Sequence, residues 1–131
     1  MAKTRAIRWK DEPDEHDYPA AASYLSLLAD DALIERLIAQ WQSAAVQHGK
    51  AKDLLRASRL DLLPANDREV ARDIAKIRAK QPLSPILLVR GEFAHGIALQ
   101  IADGYHRVCA SYHEGANTNV PYRLATLEHT P

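Results

Sequence analysis

The run Ile97-Ala98-Leu99-Gln100-Ile101-Ala102-Asp103-Gly104-Tyr105-His106-Arg107-Val108-Cys109-Ala110 constrains the fold of this chain more than any other. An apolar strand pattern leads straight into Asp-Gly, then His-Arg, then a helical pattern. A strand-to-helix corner follows, with an acid, a glycine, an imidazole and a guanidinium gathered on it. The first turn of a helix carries unpaired N–H groups and the positive end of the helix dipole, which makes it a natural phosphate site. Helical side chains lean toward the N-terminus, so His106 and Arg107 can reach back to the corner. The same residues have a plainer use. Asp103 can cap the helix, Gly104 can permit a tight turn, and His106 and Arg107 can form a solvated first turn.

The 131 residues suit one domain. Residues 1–17 are polar and mixed in charge and read as a flexible lead-in, with the acidic run Asp11 to Asp17 at the surface. Residues 18–131 form the domain. A helix begins at Tyr18, with Pro19 in its first turn and Ala22, Leu25 and Leu28-Ala29 on its apolar face. Asp30-Asp31 caps a second helix, in which Ile34, Leu37, Ile38 and Trp41 line one face. These two helices, 18–43, form a hairpin expected to cover one face of a sheet, with Trp41 in the core.

Residues 44–48 read as a short strand ended by Gly49, and Lys52 to Ser58 as a short helix. Arg59 to Pro64 is strand-like. Asn66 then caps a helix, Glu69 completes a capping box, and Val70, Ile74 and Ile77 line its inner face. Strands at 86–90 and 97–102 flank a loop bounded by Gly91 and Gly96, with Phe93 and His95 at its tip. Gly115 is expected to end the corner helix in a left-handed cap, with Cys109 buried and inert inside it. A turn at 117–119 leads to a last strand at 120–125.

Lys plus Arg equals Asp plus Glu, 17 each. The balance counts against a stand-alone DNA-binding protein, which carries a basic surplus. No apolar run approaches the roughly 20 residues of a membrane span. The basic start lacks the apolar core of a signal peptide. A single cysteine forms no intramolecular disulfide and pairs with nothing as a zinc site; the acidic cluster Asp11 to Asp17 could suit a metal, but a surface segment is the simpler reading. The expectation is a cytoplasmic protein.

Asp103-Gly104-Tyr105-His106-Arg107 resembles the D-G-x-H-R signature of the ParB/sulfiredoxin-like superfamily. The corner reads G-E-R-R in the ParB proteins, G-G-C-H-R in the sulfiredoxins and D-G-H-H-R in the free-serine kinases, which is the nearest match. The resemblance runs from about Leu60 to about Ala125 and includes the Pro85-Ile86-Leu87-Leu88-Val89 segment ahead of the signature. It implies an α/β fold of the ParB/sulfiredoxin-like type, a small mixed sheet flanked by helices, with the N-terminal hairpin as an addition. The whole chain is similar to small bacterial members of that superfamily with no settled activity.

Three chemistries occur on the implied fold. Sulfiredoxin-like reduction needs a cysteine immediately before His-Arg, where this chain has Tyr105. Partitioning needs a double-arginine corner and a further DNA-reading domain; here His106 replaces the first arginine and no helix-turn-helix follows. A nuclease role finds no carboxylate set beyond Asp103 and Glu69.

Phosphoryl transfer keeps the most residues. The resemblance implies phosphate binding by Gly104, Tyr105, His106 and Arg107, with Asp103 and Glu69 as the catalytic pair. ATP, ADP or CTP with magnesium would be the cofactor. Tyr105 departs from that motif. Three functions therefore stand: a module binding a nucleotide or a phosphorylated small molecule, a small-molecule kinase acting on a free-amino-acid-like substrate, and a non-catalytic protein-interaction module. A homodimer is compatible with each.

Overall fold

The protein is described by a computed structural model over residues 6–127. Its elements run in the order α1 (Asp17–Leu25), α2 (Asp31–Ser43), β1 (Gln47–Lys50), α3 (Ala51–Ser58), α4 (Arg68–Arg78), β2 (Ile86–Val89), a 3-10 turn (Phe93–His95), β3 (Gln100–Asp103), α5 (Tyr105–Glu114) and β4 (Asn119–Ala125). This is an α/β fold with a four-stranded mixed sheet in the order β1-β4-β2-β3. β4 runs antiparallel to β1 and parallel to β2, and β2 runs antiparallel to β3.

Alternation along the strands builds two cores. Ile86, Leu88 and Ile101 join Val70, Ile74, Ile77, Val108 and Cys109 from α4 and α5 on one face. Leu87, Val89 and Ala102 join Ala21, Leu25, Ile34, Leu37 and Trp41 from α1 and α2 on the other. β2 is buried on both faces, which explains its unbroken apolar run. Trp41 is fully buried, and its indole N–H donates to the Leu88 carbonyl at 2.9 Å. The N-terminal hairpin thus covers the sheet as its stripe predicts. Among the described residues no helix is long and apolar enough to cross a membrane.

Several local expectations are corrected. Met1 to Arg5 lie outside the described residues, but the rest of the 1–17 lead-in is fixed. Leu83 N–H donates to the Arg8 carbonyl at 2.9 Å, and Lys10 N–H to the Leu83 carbonyl at 2.8 Å. Ile7 and Trp9 pack on the first core, and Asp17 is buried. These apolar residues sit among charges that mask them in an average over the segment.

α1 ends at Leu25, and Leu28, expected on its apolar face, is exposed. Gly49 lies inside β1 rather than ending it. The strand-like 59–64 segment is irregular: Arg59 turns left-handed (φ 60°) as α3 ends, and Pro64 has no N–H for a ladder. Gly115 closes α5 with extended backbone (φ 170°), not left-handed. The turn with Phe93 and His95 stands at the surface as read, Phe93 being almost fully exposed.

Candidate functional site

β3 delivers the corner. The β2–β3 register shifts between Leu87 and Leu88, which pair with Asp103 and Ile101, so Ala102 is an extra residue. Such a bulge re-aims the side chain that follows it. Gly104 then takes φ 111°, where L side chains are strained. A Cβ there would lie 2.2 Å from Ile86 Cγ2 and 2.8 Å from an Arg107 Nη2. Only glycine lets α5 start this close to β2. Gly104 is itself the N-cap, and among the described residues no side chain caps α5. Asp103 is therefore not the cap; its carboxylate takes Arg107 Nη2 at 2.7 Å.

Arg107 is gripped from three directions. Besides Asp103, its Nη1 donates to Ser84 Oγ and lies 3.5 Å from Asp17 Oδ1. Ser84 Oγ in turn donates to Asp17 Oδ2 at 2.7 Å, and the Asp14 N–H donates to the same oxygen at 2.9 Å. Arg107 Nε is buried without a hydrogen-bond partner among the described residues. One guanidinium thus lies between two carboxylates, and their acidities diverge. Burial pushes Asp17 up, but Arg107 and the bonds from Ser84 and Asp14 outweigh it, leaving this carboxyl below its ordinary 3.8. Burial dominates at Asp103 and, despite Arg107, lifts it to about 6, helped by the Asp17 charge.

The corner opens into a cleft of about 210 Å³. Asp103, Gly104, His106 and Arg107 form one wall, Glu69, Arg72 and Asp73 of α4 the second, and His16 and Asp17 the third. Glu69 and Asp73 share a face because they are four residues apart on a helix. Burial raises Asp73 above its ordinary value. Glu69 caps nothing: α4 is capped by Asp67, whose carboxylate accepts from the N–H groups of Glu69 (3.0 Å) and Val70 (3.1 Å). The expected Asn66–Glu69 capping box is absent because an anionic cap stands one residue closer to the helix dipole. Freed of that duty, Glu69 pairs with Arg72 at 3.3 Å.

Glu69, Asp103, Gly104, His106 and Arg107 therefore share one cleft. Tyr105 does not join them: its hydroxyl donates to the Asp61 carbonyl, and the ring turns away from the cleft lining toward the loop before α4. His16, Asp17, Arg72, Asp73 and Ser84 are the residues that sequence reasoning missed. Asp73 was signalled by its spacing from Glu69. Asp17 belongs to the acidic run that could suit a metal, but nothing local signalled its pairing with Arg107. Cys109 is fully buried, and burial raises its thiol, so it contributes no nucleophile here.

Donors for a cation lie on two sides. Glu69, Asp73 and Asp103 face the cleft. Asp14, His16 and Asp17 bring donor atoms within 4.8 Å of one another at its rim. Comparison with known protein families, characterised proteins and solved structures finds no match.

Proposed function

We propose that the corner at the start of α5 binds the phosphate of a nucleotide (ATP, ADP or CTP) or of a phosphorylated small molecule, taken with a magnesium ion. One observation carries this reading. A helix N-terminus without a side-chain cap among the described residues opens onto a polar cleft that holds His106 and Arg107 beside the carboxylates of Asp17, Glu69, Asp73 and Asp103. Backbone N–H groups and a positive dipole end favour the phosphate. Hard carboxylate oxygens suit magnesium, which binds through one or two carboxylates plus phosphate oxygens. The magnesium would supply neutralisation of the phosphate charge. The resemblance of Asp103-Gly104-Tyr105-His106-Arg107 to the ParB/sulfiredoxin-like signature supports the same ligand class, and a nucleotide ligand suits a cytoplasmic protein.

A second reading, phosphoryl transfer to a small hydroxyl-bearing molecule, draws on the position of Glu69. Its carboxylate lines the same cleft as Asp103 and would act as general base once freed from Arg72. Binding remains the primary proposal, since the Glu69–Arg72 pair occupies that base.

The test is a thermal-shift screen against nucleoside mono-, di- and triphosphates with and without magnesium. Binding to the folded state raises the melting temperature. His106 makes no hydrogen bond among the described residues, so His106→Ala leaves the Arg107 network intact. A shift for a nucleotide that is lost in His106→Ala supports the reading. No shift with any nucleotide removes it and moves the fold toward a protein-interaction role.

A further inference from the structure

We infer that Asp17, delivered by the N-terminal helical hairpin, sets which form of the ligand the corner accepts: a phosphate accompanied by a divalent cation, and not the bare anion. This rests on the corner being a phosphate site. Asp17 is a positioning residue, acting through Arg107.

Asp17 opens α1, outside the segment that makes the corner, yet its side chain is 3% exposed and reaches Arg107 Nη1 at 3.5 Å. Ser84 and the Asp14 N–H hold its carboxylate in place at 2.7 and 2.9 Å. Asp103 takes the other arm of the same guanidinium at 2.7 Å. The arginine that a phosphate would seek is thus already matched by two carboxylates, the buried Asp17 and the half-buried Asp103. The remaining guanidinium of the cleft, Arg72, is paired with Glu69. Asp73 is left without an ion pair among the described residues. Four carboxylates therefore line the cleft against two arginines and the imidazoles of His16 and His106, His16 lying 3.5 Å from the Asp17 carboxylate. A bare polyphosphate entering it meets a net negative field, strengthened by burial. A cation bound with the phosphate reverses that penalty. Removing the Asp17 charge leaves Arg107 neutralised by Asp103 alone, with Nη1 still on Ser84 Oγ, so more of its positive charge acts on the phosphate.

The experiment is calorimetric titration of ATP, in magnesium and in EDTA, into the full chain and its Asp17→Asn and Glu35→Gln variants. Asparagine keeps an oxygen for Ser84 and for the Asp14 N–H. Wild type should bind ATP at least about tenfold more tightly with magnesium, a gap of the size one partly buried charge imposes. Asp17→Asn should bind magnesium-free ATP about tenfold more tightly than wild type, and its magnesium effect should shrink to about threefold or less. Glu35→Gln removes a carboxylate charge on the exposed side of α2, outside the cleft, and should keep the wild-type magnesium dependence.

An Asp17→Asn variant that binds but retains the wild-type magnesium dependence overturns the role of Asp17 and leaves the phosphate site standing. If Asp17→Asn does not fold, wild type still decides: ATP bound as tightly in EDTA as in magnesium overturns the inference. Wild type that binds no ATP in magnesium removes the site itself, and the inference with it.

Discussion

Gly104 has a conformation and a neighbour that together exclude every other residue. Its φ of 111° strains any L side chain, and a Cβ would overlap Ile86 Cγ2. Gly104→Ala should destabilise the fold by about 2–4 kcal/mol, combining backbone strain with overpacking. Gly96 is the control. It also has positive φ (69°), but a Cβ there meets open space, so Gly96→Ala should cost only about 1–2 kcal/mol. Urea melts of the two variants check the difference; equal losses would contradict the close approach of α5 to β2.

Asp103 makes a second prediction at the residue scale. Its carboxyl sits at about 6 in the folded protein, against an ordinary 3.8. Between those values the folded state holds more protons than the unfolded one. Stability from this group therefore rises as pH falls from about 7 toward about 4, by up to about 3 kcal/mol. Asp17 has the opposite sign: its lowered pKa lends stability above 3.8 that is lost on further acidification. Denaturation of wild type and Asp103→Asn at about pH 7.5 and about pH 5 isolates the effect. Wild type should gain stability on acidification relative to the variant; the same change in both would contradict it.

At the scale of elements, legibility followed the range of the interaction that fixes each one. The α2 stripe of Ile34, Leu37 and Trp41, the apolar run of β2 and the β3–α5 corner depend on local periodicity, and all were readable. The α4 cap was misread by one residue because Asn66 and Asp67 are both good caps. The backbone turn that puts Asp67 N–H on the Pro64 carbonyl decides between them. Asp67→Ala should cost about 1 kcal/mol, with Asn66→Ala close to neutral. Thermal denaturation of both variants checks this, and the reverse order would restore the box. The 59–64 segment shows the other failure. Its residues suit a strand, but Pro64 and the left-handed Arg59 take its backbone out of any ladder.

At the scale of the whole molecule, the site is a meeting of distant pieces. α5 and β3 give the corner, α4 gives Glu69 and Asp73, and the N-terminal segment gives His16 and Asp17. The corner was legible because its residues are adjacent in sequence. The carboxylate that faces Arg107 from position 17 was not, because only the folded sheet brings α1 against β3. Charge balance over the whole chain concealed this too: a net charge of zero coexists with a cleft in which carboxylates outnumber arginines.

The most direct measurement is a backbone amide NMR titration with magnesium and ATP. If the corner is the phosphate site, the amides of Gly104, Tyr105, His106 and Arg107 shift first and most, and those of Glu69 and Asp73 follow. Unmoved amides at the corner, or shifts centred on another face such as the Gly91–Ile97 loop, would contradict the account.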